Sequence, residues 1–545
     1  MKKIVYLAVL LMFVTIMSSC NKKKEADMIV YNANVYTVNN QFSKASAFAV
    51  KNGRFIAVGS DNKILSQYVA MKKINAGGKA IYPGFNDGHS HFLAYGESLI
   101  RWANLVGTTS FAEVLERVKQ HHKKYPSSWI LGRGWDQNDW KNQHFPDNSR
   151  LNKLFPDLPV VLTRIDGHAV LANKKALELA GINAKTIVNG GEVVLKNGHP
   201  TGVLIDNAAD KMRMIIPEMT KKEKINALVQ AEKKCFAAGL TTVSDAGLNL
   251  QDILLIDSLQ KAGKLSMRVY AMMSPTKENF SYFLKKPPLH NGKLTVSSIK
   301  LYADGALGSR GALLLKPYSD MPGHYGLRLH PLPYYDSICK MAYNAGYQVN
   351  THAIGDSGNR IVLHTYAKYL KGKNDKRWRI EHAQIVAPGD LHYFGRFSII
   401  PSVQSTHCTS DMYWAGKRLG PKRLKSAYAY KQLLSQNGWE INGTDFPIED
   451  ISPLKTFYAA VSRKDLKGWP SGGFQPENAL SRKEALYSVT LWPARGSFDE
   501  KDKGSIEKGK FADFVILNQD IMTCPEKNIP YVKINAVFVN GKKVK

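Results

Sequence analysis

Apolar positions along the 545 residues fall into two textures. Near the front, short apolar runs at 28–31, 35–38, 47–50 and 55–59 are broken by Asn32-Ala33-Asn34, Asn39-Asn40 and Lys51-Asn52-Gly53. Short runs punctuated by such turn formers predict antiparallel strands. The end of the chain, at 511–517 and 534–541, has the same texture. Between them, apolar strand-like runs at 80–82, 241–245, 267–273, 297–302, 347–351, 378–380, 397–403 and 439–442 alternate with helical spacing. Thr220-Lys221-Lys222-Glu223 is a capping box opening a helix that Gly239 stops, and Ser481-Arg482-Lys483-Glu484 opens another. Eight strands alternating with helices predict an α/β fold, a parallel (β/α)8 TIM barrel over residues 81–504. The two β-rich ends, 27–80 and 505–545, predict one small β-sandwich domain built from both termini.

The gap between the first and second barrel strands is too long for one crossover. Residues 95–235 therefore read as a large insertion after the first strand, with a helix capped by Ser110 and Glu113 and an aromatic-rich run from Trp129 to Trp140. Insertions after barrel strands sit on the active-site face, so this one is expected to form the substrate pocket.

Composition changes the picture little: 44% hydrophobic and 22% charged is an ordinary globular chain. The net charge of +30 raises the question of nucleic acid, but the basic residues are scattered and carry no nucleic-acid motif. A solvated surface and no nucleic-acid partner is the reading. The N-terminus is more specific. Lys2-Lys3 precede an apolar run over 4–17, too short to span a bilayer, and then Met17-Ser18-Ser19-Cys20. That stretch resembles a bacterial lipobox. It implies a signal peptide over 1–19, a lipid anchor on Cys20, a polar tether over 20–26 and a place in the bacterial cell envelope, on the periplasmic side or the outer surface. An ordinary signal peptide or an uncleaved anchor is the competing reading. Cys235, Cys339, Cys408 and Cys524 form no CxxC pair and read as small buried hydrophobes rather than a disulfide framework.

The chemistry lies at the strand ends. His89-Ser90-His91 follows the first strand, and residues i and i+2 on extended backbone point the same way, so two imidazoles can reach one metal ion. Lys300 and Asp304 follow at the fourth strand, His352 at the fifth, Glu381-His382 at the sixth and Asp445 at the eighth. A barrel gathers its strand C-termini into one ring, which makes these residues neighbours.

In these motifs the chain resembles the amidohydrolase superfamily, and most closely the amidohydrolase family 3 branch that includes N-substituted formamide deformylase-like proteins. The resemblance implies one or two divalent metal ions, zinc first. His89 and His91 would bind one ion with Asp445, His352 and His382 would bind the second, and Lys300, if carboxylated, would bridge them. It further implies metal-dependent hydrolysis of an amide, formamide or related non-peptide C–N bond in a small-molecule substrate, with Asp445 as general base and then acid. An uncarboxylated Lys300 in a one-metal site is the alternative. The same centre can also attack a cyclic amide, carbamate or ester. A rival from another class is a non-catalytic ligand-binding surface lipoprotein. Trp135, Arg164, His168 and Asp304 are candidates for substrate binding. Trp135 and Trp140 read equally well as packing of the insert, Arg164 as a structural ion pair with Asp166, and Asp304 as a residue shaping its loop. His121, His122, His144, His290 and His407 read as surface or structural histidines.

Overall fold

Strands that are apolar on both faces need cover on both, and a closed parallel barrel ringed by helices supplies it. The computed structural model describes residues 23–545. Its central sheet runs in the order β1 (Phe85–Ser90), β2 (Leu240–Leu248), β3 (Arg268–Met273), β4 (Leu294–Tyr302), β5 (Gln348–Ala353), β6 (Arg379–His382), β7 (Ile400–Val403) and β8 (Ile441–Asn442). Every neighbouring pair along that path is parallel. The eight strands make a nearly closed TIM-like barrel. At the last seam, single hydrogen bonds replace a ladder: Asp445 N–H to the His89 carbonyl (2.7 Å) and His91 N–H to the Phe446 carbonyl (2.8 Å).

The first barrel strand is not the expected one. Residues 80–82 belong to Ala80–Pro83, which joins the terminal sheet, while β1 is the segment carrying His89 itself. Phe85-Asn86-Asp87-Gly88-His89-Ser90 has one apolar side chain, so its pattern hides a strand that is wholly buried.

Both chain ends meet in a six-stranded sheet ordered Lys542–Lys543, Ile534–Val539, Phe514–Leu517, Ala80–Pro83, Asn34–Tyr36, Lys44–Ala45. A four-stranded sheet of Arg54–Gly59, Ala47–Lys51, Lys24–Tyr31 and Tyr68–Asn75 shares one apolar cluster with it, including Val30, Phe48, Phe55, Phe514 and Phe538. Lys24–Tyr31 starts inside the stretch expected to be tether. Lys24 to Ala26 pair with Tyr68 to Ala70, and backbone pairing on one side asks for no apolar side chains. The expected signal peptide and Cys20 lie outside the described residues. Among the described residues, no helix is long and apolar enough to cross a membrane.

Between β1 and β2 the chain builds a separate six-stranded sheet running from Ala103–Asn104 through Ile130–Trp135, Val160–Arg164 and Ala169–Ala172 to His199–Asp206 and Gly191–Lys196. It then returns to the barrel through the helix Lys221–Ala238. Thr220 and Glu223 close its capping box, and Gly239 ends it in the left-handed region at φ 91°. This helix packs on Phe92–Arg101, where a side chain at Gly96 would strike the Ala227 carbonyl at 2.3 Å. The late part of the expected insertion thus serves as the helix leading into β2.

Candidate metal centre

The C-terminal ends of the barrel strands deliver the site. His89 lies in β1 and is buried, and His91 stands just past it at the start of the helix Phe92–Arg101. Lys300 comes from β4, His352 from β5 and His382 from the last position of β6. Asp445 follows β8. His382 and Asp445 hold φ of 73° and 60°, a conformation non-glycine residues avoid unless their surroundings impose it.

Asp445 is the hub. Its Oδ1 is 3.3 Å from His91 Nε2 and 3.7 Å from His89 Nε2, and its Oδ2 is 3.6 Å from His407 Nε2. Lys300 Nζ lies 3.5 Å from His89 Nε2. The ring of His382 is 5.0 Å from that of His89 and 4.5 Å from that of His352, centroid to centroid. Two triads, His89–His91–Asp445 and His382–His407–Asp445, each bring their donor atoms within 4.8 Å of one another.

The surroundings keep the imidazoles ready as neutral donors. Burial and the charge of Lys300 push His89 down to about 4, and burial takes His352 and His382 well below the usual histidine range. His89 Nδ1 meets Glu381 Oε2 at 2.6 Å, which leaves Nε2 facing the site. Glu381 is held in turn by Arg379 (3.0 Å) and the Ser402 hydroxyl (2.6 Å). His352 Nε2, His382 Nδ1, His407 Nε2 and Asp445 Oδ1 are buried and have no hydrogen-bond partner among the described residues. Buried polar atoms rarely stay unpaired. Three of these residues, His382, His407 and Asp445, form one of the two triads, and neutral imidazole nitrogens with a carboxylate oxygen suit a divalent cation such as zinc.

These side chains sit in a cavity of about 620 Å³, closed on its far side by the insert and by Trp414. The amidohydrolase family model matches residues 72–545. The chain belongs to the amidohydrolase family. It is 32% identical over 95% of its length to the protein LONG AFTER FAR-RED 3 of Arabidopsis thaliana, covering 91% of that protein. It is 24% identical over 94% of its length to the N-substituted formamide deformylase of Arthrobacter pascens, covering 97% of it. The crystal structure of a metal-dependent hydrolase from Pyrococcus horikoshii superposes with a TM-score of 0.75 at 29% identity, over 92% of this chain and 99% of that one. This amidohydrolase is a hydrolytic enzyme that uses divalent metal.

Around the amidohydrolase centre, the other candidate residues separate. His168 lines the cavity with its ring 4.9 Å from that of His352, and its Nδ1 is bonded to the buried Asp206 at 2.7 Å. Arg164 also reaches the cavity wall, but its guanidinium is engaged by Asp136, Asp166 (2.7 Å) and Gln137 (2.8 Å), so it is an ion-pair centre. Trp135 does not reach the cavity. It is buried in the insert core with its indole N–H on the Leu162 carbonyl (2.8 Å), and Trp140 packs beside it. Asp304 is likewise withdrawn, because its carboxylate accepts from the backbone N–H groups of Leu313, Ile354 and Gly355 and folds the loop after β4. His407, read as structural from sequence, stands in the centre on the helix Ser405–Asp411. It follows β7, so reading the seventh strand end as the others were read would have found it.

Proposed function

We propose that the protein hydrolyses an amide, formamide or related non-peptide C–N bond of a small molecule, and that Asp445 moves the proton. The observation that carries this is the placement of Asp445, whose two carboxylate oxygens stand between His89, His91 and His407 at the floor of the cavity. His89, His91 and Asp445 would hold one ion, and His352 and His382 the other. Lys300, carboxylated, would stand between them. Zinc fits these donors. When bound, such ions bring the pKa of water toward neutrality and polarise a carbonyl. Asp445 takes the proton of the attacking water as the C–O bond forms. It then delivers that proton to the nitrogen as the C–N bond breaks, releasing a carboxylic acid and an amine. The cavity, walled by the insert, admits a small substrate and excludes a folded chain. Similarity to an N-substituted formamide deformylase supports formamides as first probes.

The test is elemental analysis of protein purified without chelators, alongside formate release from an N-substituted formamide. We expect about two equivalents of metal, and an Asp445→Asn variant slower by roughly 10²- to 10⁴-fold. Undiminished turnover in that variant would remove Asp445 from the mechanism, and a chain that takes up no metal would remove the centre. We also propose a lipid anchor on Cys20 and a place in the bacterial cell envelope, carried by the Met17-Ser18-Ser19-Cys20 stretch.

A further inference from the structure

Two guanidinium groups of the insert line the cavity, and they are in different states. Arg164 is saturated by two carboxylates and an amide oxygen. Arg133, on the strand Ile130–Trp135, gives one N–H to the Ile165 carbonyl (3.0 Å) and makes no ion pair among the described residues. Its Nε is buried without a partner. Gly167, at φ 74°, lies beside the guanidinium, and a Cβ there would stand 3.7 Å from Nη1, in ordinary contact. Its nearest cationic neighbour, Arg213, is engaged with Asp210 (2.6 Å) and the Gly167 carbonyl. Burial pulls the Arg133 guanidinium below the usual arginine range, and the charge of Asp445 acts the other way.

Arg133 is half-buried and has no carboxylate in ion-pair contact, and the planar fork of an arginine, with its five donors, matches a carboxylate in two parallel hydrogen bonds. Most of the acids that line the cavity are already held by donors. Asp411 is bonded to Tyr428 (2.8 Å) and Gln384 (3.3 Å), Glu449 accepts from Ser410 (2.6 Å), and Asp450 pairs with Lys455 (2.5 Å). Asp136 and Asp166 both belong to Arg164. Asp139 lines the cavity without a side-chain partner among the described residues, and Arg133 is the one guanidinium of the wall without a carboxylate partner.

We propose that Arg133 is the specificity-determining residue of the site and binds a carboxylate carried by the substrate, so that the C–N bond cleaved belongs to a small anionic amide. The proposal rests on the hydrolase reading above. Arg133 grips the same group before and during reaction, so it acts mainly on KM, whereas Asp445 acts on kcat.

The experiment compares N-formylglycine with its methyl ester on the zinc-reconstituted full-length protein, by formate release and by calorimetric affinity. The wild type should prefer the free acid in kcat/KM by roughly tenfold to a hundredfold, the range of a hydrogen-bonded charge pair. Arg133→Met should erase that preference by raising KM for the acid, losing about ten times more on the acid than on the ester. Arg133→Lys, which keeps the charge and loses the fork, should fall between the two. An unchanged melting temperature separates this loss from misfolding. Equal treatment of acid and ester by the wild type, or equal losses on both in Arg133→Met, would overturn the assignment while leaving the hydrolase reading intact. If neither compound releases formate, the formamide reading fails, and the calorimetric preference and its loss in Arg133→Met still decide the role of Arg133.

Discussion

Lys300 shows how much a single side chain can decide here. Its amine is buried 3.5 Å from His89 Nε2 and 4.7 Å from the Tyr302 ring centroid, and it makes no ion pair among the described residues. Burial pulls it down from 10.5 to about 8. The sign then follows. As pH rises through about 8 the folded protein releases this proton, whereas an unfolded chain would keep it until about 10.5. Only the neutral amine adds to carbon dioxide, forming a carbamate and giving up a proton. Uptake of the second metal equivalent in bicarbonate should therefore increase from about pH 7 to about pH 9, and Lys300→Ala should stop at about one equivalent under both conditions. A second equivalent that loads without bicarbonate, or equally well in Lys300→Ala, would sink the bridge. The residues at the strand ends were legible because each is a donor type placed where an apolar run stops. Arg133 was not, since nothing in an aromatic-rich run separates a paired arginine from an unpaired one. Whether Trp135 and Trp140 line the pocket or pack the insert could not be told either, because that depends on how the insert folds.

At the scale of elements, the joint between β1 and β8 positions the centre. A Cβ on Gly88 would fall 2.0 Å from Ile441 Cγ2 and 2.9 Å from the Asn442 carbonyl, and one on Gly443 would fall 2.4 Å from His89 N. Asp87 fastens the same joint, accepting from the Thr444 hydroxyl (2.7 Å) and backbone N–H (3.0 Å). The two glycines let the strands come close enough for Asp445 to meet His89 and His91. Gly88→Ala should cost about 1–3 kcal/mol by overpacking and should lower metal content, read by urea unfolding and elemental analysis of the same sample. Adding Ile441→Ala to remove the struck methyl should restore part of both, while a Gly88→Ala protein with normal stability and metal would show that the joint tolerates the separation. This also explains why β1 escaped the apolar pattern while β3 and β4 did not. Those strands carry apolar side chains such as Val269, Met272 and Met273 or Leu294, Val296, Ile299 and Leu301, whereas β1 is held by glycine contacts and polar bonds that have no period. Tyr68–Asn75 was hidden for a related reason: its central lysines are exposed, and only its parallel pairing with Lys24–Tyr31 makes it a strand.

Over the whole molecule, the terminal sheets and the barrel are fastened by charge as well as by packing. Arg268 of β3 reaches Asp513 (2.5 Å) and Asn540 (2.5 Å) across that boundary, and within the terminal sheet Asp520 gathers Tyr82 (2.6 Å), Tyr36 (2.7 Å) and Asn34 (2.9 Å). Among the described residues, the first strand pairing, Lys24 with Tyr68, belongs to these sheets. Lys24 lies four positions after Cys20, a reach of at most about 14 Å. A lipid on Cys20 would therefore hold the terminal sheets against the bilayer. Cleavage after residue 19 would remove Lys2 and Lys3, taking the formal charge from +30 to +28, and a protein so anchored would stay strongly basic, which favours an anionic membrane surface. Lipid and charge differ in their response to salt, since charge attraction is screened and acyl insertion is not. Membranes carrying the wild type should retain it in molar salt, and Cys20→Ser should pass into the soluble fraction with its metal content and formate release unchanged. Retention of Cys20→Ser in high salt would mean that residues 4–17 remain as an uncleaved anchor, and release of the wild type by salt alone would mean that charge, not lipid, holds it there.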